Sequence, residues 1–96
     1  MQFEWDDAKN LAKQRKHGIS FERASRVFVD PLRVSKVERI ADTELRWQTF
    51  GVIEDLLLLM VAHTTRDVES GVEIVRIISA RRITRQERWI YENEDG

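Results

Sequence analysis

The stretch Glu73-Ile-Val-Arg-Ile-Ile-Ser-Ala-Arg-Arg-Ile-Thr-Arg-Gln-Glu-Arg-Trp-Ile-Tyr91 begins with the pattern of a strand and ends with that of a helix. Its first part is rich in β-branched residues, which predicts a buried strand over 73–80. Thr84 and Glu87 have the spacing of a capping box, so a helix is expected from there to about residue 93. Five arginines but only one carboxylate lie in 76–88. A site for an anion, above all a phosphate, is therefore expected where this strand runs into the helix.

Three further segments before this stretch have the pattern of strands. The most hydrophobic one, 56–64, carries apolar residues at both odd and even positions, which predicts a central strand covered on both faces. The segment 46–53 precedes it, and the charge-rich segment 32–40 is typical of an exposed edge strand. Short connections between successive strands favour an antiparallel meander of four strands.

The segment before the strands predicts two short helices. Asp6 is placed to cap the first, and Gly18 follows a basic last turn as a left-handed terminator. Ser20 is placed to cap the second, which Asp30-Pro31 ends because proline disfavours helix in the residue before it. The predicted fold is α+β, with an N-terminal helical hairpin packed on a four-stranded antiparallel meander sheet and a C-terminal helix. All of 1–96 is expected to form one domain.

Composition narrows the class of protein. The chain has 96 residues, 42% of them hydrophobic and 34% charged, as in a soluble globular domain. It has no cysteine, which excludes disulfides and cysteine-based metal sites. The chain start lacks the pattern of a signal peptide, and no apolar run approaches the ~20 residues that span a bilayer. A cytoplasmic protein without a membrane partner is expected. The net charge of −1 argues against wholesale electrostatic binding of nucleic acid but allows a local basic face.

A few side chains could carry chemistry, each with a plainer alternative. Arg81 directly follows a predicted strand, where a guanidinium could bind phosphate; arginines on a solvated helix face are the alternative. His63 could act as a general base or acid near neutral pH, or it could be a satisfied histidine at a strand end. Arg66 lies where the chain leaves the central strand. If the strands are regular, Arg66 and Arg81 are roughly 20 Å or more apart, so one compact site would not hold both. Tyr91 could contact RNA or simply pack its helix.

Short motifs spread over nearly the whole chain resemble one family. In order, they are Phe3-x-Trp5-Asp6, Lys9, Lys16-His17-Gly18-Ile19-Ser20-Phe21, Phe28-x-Asp30-Pro31, Arg46-x-x-x-x-Gly51, His63-Thr64-x-Arg66, Ile77-Ile78-Ser79-Ala80-Arg81, Glu87 and Tyr91. The sequence closely resembles the BrnT family, the toxins of BrnT–BrnA type II toxin–antitoxin modules. The resemblance implies a RelE-like fold and a bacterial ribonuclease that inhibits translation. It also implies a BrnA-like ribbon-helix-helix antitoxin that binds the toxin in a two-plus-two complex. Operator DNA would be contacted by the antitoxin alone.

The resemblance also implies a set of site residues. Carried over by motif, they are Arg66, Arg81 and Tyr91, with Glu69 as the carboxylate or Glu73 in its place. The reaction expected is attack of the RNA 2′-hydroxyl on the adjacent phosphate, without metal or cofactor. Glu69 or His63 would take the proton, while the arginines stabilise the phosphorane. A non-catalytic module that binds protein or nucleic acid is the alternative, and expression would separate the two because only a ribonuclease of this kind should be toxic.

Overall fold

A five-stranded mixed sheet forms the centre of the computed structural model, which describes residues 1–94. The strands are β1 (Gln2–Glu4), β2 (Val34–Ala41), β3 (Glu44–Val52), β4 (Leu58–Asp67) and β5 (Glu73–Arg82), in the spatial order β1-β5-β4-β3-β2. Strands β2 to β5 form the predicted antiparallel meander, and β2 lies at an edge as expected.

The prediction of a four-stranded, wholly antiparallel sheet is wrong, because β1 adds a fifth strand. It pairs in parallel with β5, with Phe3 opposite Val75. A strand of three residues is too short to show an alternating pattern, and its partner lies far along the chain. The sequence around Phe3 and Trp5 therefore does not distinguish a strand from an apolar lead-in.

The helices begin at the predicted capping residues. They are α1 (Asp7–His17), α2 (Phe21–Ala24) and α3 (Arg85–Asn93), with 3-10 helices at Ser25–Val29 and Glu54–Leu56. The Asp6 side chain accepts a hydrogen bond from the Lys9 amide, and Ser20 caps α2 in the same way. Gly18 ends α1 with φ of +75°, a left-handed conformation that glycine adopts at little cost.

The predicted helical hairpin is only partly present. Its second arm is a single α-helical turn that tightens into the 3-10 helix Ser25–Val29, because Asp30-Pro31 leaves no room for a longer helix. The central strand also starts later than predicted. Leu56 lies in the second 3-10 helix with φ of +59° and is 87% exposed, so β4 begins at Leu58.

Each face of the sheet buries its own apolar cluster. The back face is covered by α2 and the first 3-10 helix, and its cluster contains Phe21, Val27, Leu59, Val61 and Val75. The front face is covered in part by α3, and its cluster contains Val34, Phe50 and Met60, with Ile83, Ile90 and Tyr91 packed on them. The first half of strand β4, around Leu59, Met60 and Val61, is therefore buried on both faces, as its sequence predicted.

Asp30 joins three elements at one end of the sheet. Only 6% exposed, it accepts hydrogen bonds from the amides of Leu32 and Val52 and, at 2.6 Å, from the Tyr91 hydroxyl. Burial alone would raise the pKa of this carboxyl, but the three donors outweigh burial and lower it. The carboxylate thus connects the 3-10 helix to β3 and to α3.

Replacing Asp30 with alanine should lower the free energy of unfolding by about 2–3 kcal/mol, because buried donors would lose a charged acceptor. Urea denaturation at neutral pH measures this loss. Asp67→Ala, at the exposed end of β4, is the matched control and should change stability by no more than about 0.5 kcal/mol. Equal stability of the two variants would contradict the role given to Asp30.

Candidate functional site

The front face has a part that α3 does not cover. Phe50 of β3 and Met60 of β4 lie opposite each other and are buried. Two positions further along this face, Gln48 of β3 lies opposite Ala62 of β4, and Ala62 lies opposite Ser79 of β5. Thr64 comes two residues after Ala62, so its side chain lies on the same face. A floor without charge is thus formed by Gln48, Ala62, Thr64 and Ser79.

Four arginine side chains stand on or beside this floor. Arg81 lies opposite Met60, Arg76 opposite Thr64 and Arg66 opposite Ile74, while Arg46 is two residues before Gln48 on β3. We call these four arginines and the floor the basic face. It is defined by Arg46, Gln48, Ala62, Thr64, Arg66, Arg76, Ser79 and Arg81.

A β-bulge in β5 is the reason that two of these arginines share a face. Ser79 pairs with Ala62 while Ile77 pairs with His63, so Ile78 is an extra residue in the strand. Arg76 and Arg81 are five positions apart, an odd number, and would lie on opposite faces of a regular strand. The bulge restores Arg81 to the side of Arg76.

Arg66 and Arg81 do not form one compact site. Six positions of β4 separate Arg66 from Met60, the partner of Arg81, which corresponds to roughly 20 Å. The separation expected from sequence is therefore confirmed by the register. Arg76 lies between them, so the arginines form a track rather than a single pocket.

Glu4 is held between two of the arginines. Its carboxylate oxygens are 2.6 and 3.2 Å from the two terminal nitrogens of Arg66, and Oε1 is 3.5 Å from Nη1 of Arg76. The hydrogen bond from Arg66 lowers the pKa of Glu4. Sequence reasoning missed Glu4, because it reaches this face only through β1. The one available signal was the alternation of Phe3, Glu4 and Trp5.

Arg81 is paired with a carboxylate from α3. Its two terminal nitrogens donate to the two oxygens of Glu87 at 2.8 and 2.9 Å, and Nη1 also donates to the Arg82 carbonyl. Glu87 completes the predicted capping box with Thr84, and the Arg81 hydrogen bond lowers the pKa of Glu87. Within residues 1–94 these contacts occupy three of the five guanidinium donors, which leaves two for a substrate oxygen.

Tyr91 has a different partner from Arg81. Its hydroxyl donates to Asp30, which is bound to β3, whereas Arg81 on β5 pairs with Glu87, one turn earlier on α3. Burial, and then the hydrogen bond to Asp30, raises the pKa of Tyr91 to about 12. The observed contact fixes α3 to the sheet, and the structure does not bring this phenol to the basic face.

His63 lies on the back face, opposite to the arginines. It is 3% exposed, its Nε2 is 2.7 Å from Thr49 Oγ1, and Thr49 in turn contacts Ser35 at 2.8 Å. The Phe28 ring and the imidazole pack in a T-shaped arrangement with centroids 4.9 Å apart. Burial lowers the pKa of His63 to about 4, so the ring is neutral at pH 7.

The two predicted carboxylates also lie off the basic face. Glu69 is exposed in the turn between β4 and β5, where the Gly71 amide bonds to the Val68 carbonyl. Glu73 lies on the back face, opposite Asp67, and lines the same pocket as His63. Of the five predicted site residues, the structure therefore puts only Arg66 and Arg81 on the basic face.

Guanidinium groups above an uncharged floor can bind the phosphates of an extended anionic chain. Each Arg–carboxylate contact here is a contact that a phosphate could replace, since both anions match the guanidinium geometry. Among residues 1–94, no group of three or more His, Asp or Glu side chains is placed to hold a metal ion. None of the described helices is long and apolar enough to cross a membrane.

Comparison with protein families gives a match over most of the chain. Residues 5–87 match the family model described as the ribonuclease toxin BrnT of a type II toxin–antitoxin system. The matched segment contains all four arginines of the basic face and ends before Tyr91. No curated protein matches the chain.

Proposed function

The chain belongs to the BrnT family of ribonuclease toxins of type II toxin–antitoxin systems, and on that premise we propose that it cleaves RNA bound along the basic face. The observation that carries this proposal is the track of four arginines over a floor without charge, on the part of the sheet that α3 leaves open. A single RNA strand can follow such a track with successive phosphates on successive guanidinium groups.

The reaction centre that we propose is the group of Arg66, Arg76 and Glu4. The RNA 2′-hydroxyl attacks the adjacent phosphorus, its proton passes to a carboxylate, and the 5′ oxygen leaves and takes a proton from solvent. The products are a 2′,3′-cyclic phosphate and a free 5′-hydroxyl. Arg66 and Arg76 stabilise the charge that grows on the phosphorane.

Glu4 is the proton acceptor in this proposal. A phosphate that takes over the guanidinium groups of Arg66 and Arg76 would free the Glu4 carboxylate directly beside the attacking hydroxyl. Glu69 is on the exposed turn, and His63 is on the other face. If Glu4→Gln kept the acid limb of the wild-type pH–rate profile, Glu4 would not be the proton acceptor.

Arg81 and Tyr91 have supporting parts. Arg81 lies too far from Arg66 to contact the same phosphate, so we assign it to a neighbouring phosphate of the bound strand. Tyr91 keeps α3, and with it the Arg81–Glu87 pair, in place through Asp30.

The decisive experiment is cleavage of a defined RNA by the purified wild-type protein in EDTA. Cutting is expected without divalent metal, because the proposed step uses only side chains of the protein and a proton from solvent. The product should carry a 2′,3′-cyclic phosphate, which end-group analysis detects. Folded protein that cuts only after Mg²⁺ or Mn²⁺ is added would contradict the metal-free mechanism.

Membership of a type II toxin–antitoxin family implies an antitoxin partner. We propose a BrnA-like ribbon-helix-helix protein that neutralises the toxin, with two copies of each chain in the complex. Operator DNA would be bound by the antitoxin alone, and inhibition of translation would follow from RNA cleavage. Light scattering of the co-expressed complex measures the stoichiometry, and one toxin for each antitoxin dimer would contradict it.

A further inference from the structure

The floor of the basic face contains one row of residues that lie directly opposite one another. Gln48 of β3 pairs with Ala62 of β4, Ala62 pairs with Ser79 of β5, and all three are half-buried. Residues paired across neighbouring strands point to the same face, so their side chains form one continuous surface about 10 Å wide. We call Gln48, Ala62 and Ser79 the shelf.

Helix α3 forms a wall along one side of the shelf. Glu87 on this helix bonds to Arg81 of β5 at 2.8 Å. Seven residues later, Glu94 bonds to Lys36 of β2 at 3.0 Å. Ile90 lies between the two carboxylates on the same side of the helix and packs on the front cluster. The wall is therefore fixed to the sheet at both ends and is apolar in its middle.

Two arginines of the track lie on either side of the shelf. Arg81 is opposite Met60, on the row next to α3, and Arg76 is opposite Thr64, on the row away from α3. Four positions of β4 separate these two partners, so the arginines are roughly 13 Å apart with the shelf between them. A strand of RNA whose phosphates contact both arginines therefore brings one of its nucleotides over the shelf.

The side chains of the shelf suit the edges of a base rather than a phosphate. Gln48 offers an amino donor and a carbonyl acceptor, and Ser79 offers a hydroxyl that can donate or accept. Ala62 stands between them, and its small side chain leaves room for a flat ring. A phosphate favours positive charge, which the shelf lacks, whereas sequence-specific recognition of single-stranded RNA uses hydrogen bonds to the edges of unstacked bases.

We propose that the shelf binds one pyrimidine base of the RNA strand. Gln48 and Ser79 are two strand spacings, about 10 Å, apart, and a hydrogen bond of about 2.9 Å at each side leaves about 4 Å, the width of a single ring. The Ser79 hydroxyl donates to O2, which both pyrimidines carry. Across the ring, the Gln48 amide turns to donate to O4 of uracil or to accept from the amino group of cytosine. The second ring of a purine would have to displace one of these side chains.

The inference rests on the proposed function, because the base would belong to the RNA strand on the basic face. It adds a base preference to that function. Contacts between arginines and phosphates give affinity without regard to sequence, whereas contacts with a base edge depend on the base. Arg76 holds the scissile phosphate in the proposed reaction, so the pyrimidine on the shelf would lie close to the cut.

Fluorescence anisotropy with the full chain and 2′-O-methyl hexanucleotides tests the shelf without any need for cleavage, because these oligomers lack the attacking hydroxyl. The hexamers of uridine and of cytidine should each bind about tenfold more tightly than the hexamer of adenosine, the usual discrimination of a specific base contact. Gln48→Ala should remove most of this preference and leave the affinity for the adenosine hexamer unchanged, because the phosphate contacts remain. Gln14→Ala is the matched control, since it removes the same side chain from α1 and should keep the preference.

Ser79→Ala provides a second variant should Gln48→Ala be unstable, and it too should reduce the preference for pyrimidines. Stacking of adenines on one another weakens binding of the adenosine hexamer to every variant alike, so a preference with that origin would survive both substitutions. Equal affinity of the wild type for the three hexamers, or a preference unchanged in both variants, would overturn the inference.

The two proposals can fail separately. Pyrimidine-selective binding by a protein that does not cut RNA would overturn only the proposed cleavage. Cutting by a protein without this preference would overturn only the role of the shelf. Absence of binding to all three hexamers would overturn both.

Discussion

Replacing Arg66 with alanine should slow RNA cleavage by about 10²–10³-fold, the usual cost of removing one group that stabilises charge in a transition state. The loss should appear in kcat, because Arg66 is assigned to the phosphorane rather than to general binding. Its side chain is 54% exposed and that of its partner Glu4 is 35% exposed, so the pair is open to solvent and the fold should not depend on it. Single-turnover cleavage of a defined RNA measures the effect.

Two other arginines make this prediction specific. Arg82→Ala changes an exposed residue of β5 outside the basic face and should leave the rate unchanged. Arg81→Ala should raise KM and lower the salt dependence of RNA binding by about one ionic contact, with a smaller effect on kcat. If Arg81→Ala lost as much kcat as Arg66→Ala, the scissile phosphate would have to lie at the α3 end of the track instead.

Acid should destabilise the fold by about 3 kcal/mol between pH 6.5 and pH 4, through His63 alone. Burial lowers the pKa of the folded histidine to about 4, whereas the unfolded chain titrates near 6.5. The unfolded state therefore binds a proton first, and stability is complete above pH 6.5 and falls by up to about 1.4 kcal/mol per unit as the pH drops to 4. Urea denaturation at several pH values measures the slope.

His63→Gln should remove most of this slope, because glutamine does not titrate. His17→Gln is the matched control: it replaces the other histidine of the chain, at the end of α1, and should keep most of the slope, because burial lowers the pKa of His17 as well but His63 is the deeply buried one. A wild-type protein as stable at pH 4.5 as at pH 7 would show that His63 is already protonated when folded. Below about pH 4, Asp30 should add a further loss as the pH falls through its lowered pKa, because its carboxylate then gives up the buried hydrogen bonds.

The helix boundaries could be predicted from sequence because they depend on neighbouring residues. Asp6, Ser20 and Thr84 each cap the helix that follows them, and Gly18 ends α1. The antiparallel meander was predictable for a related reason, since its strands are joined by short connections. In both cases the information lies within a few residues of the feature.

The composition of the site could not be predicted in the same way, because it depends on pairing across the sheet. Glu4 reaches Arg66 only through β1, whose partner is some seventy positions away along the chain. The sequence predicts a strand that ends at residue 64, which puts both His63 and Arg66 where the chain leaves the sheet. Since β4 continues to Asp67, side chains three positions apart point to opposite faces.

The bulge at Ile78 makes the basic face sensitive to the deletion of a single codon. Loss of that single codon would keep the reading frame and every arginine, yet it would make β5 a regular strand. Arg81 would then turn to the buried side, or α3 would be pulled out of place to prevent it. Scanning by substitution would not reveal this dependence, because what matters at this position is the count of residues between Arg76 and Arg81 and not the identity of any one of them.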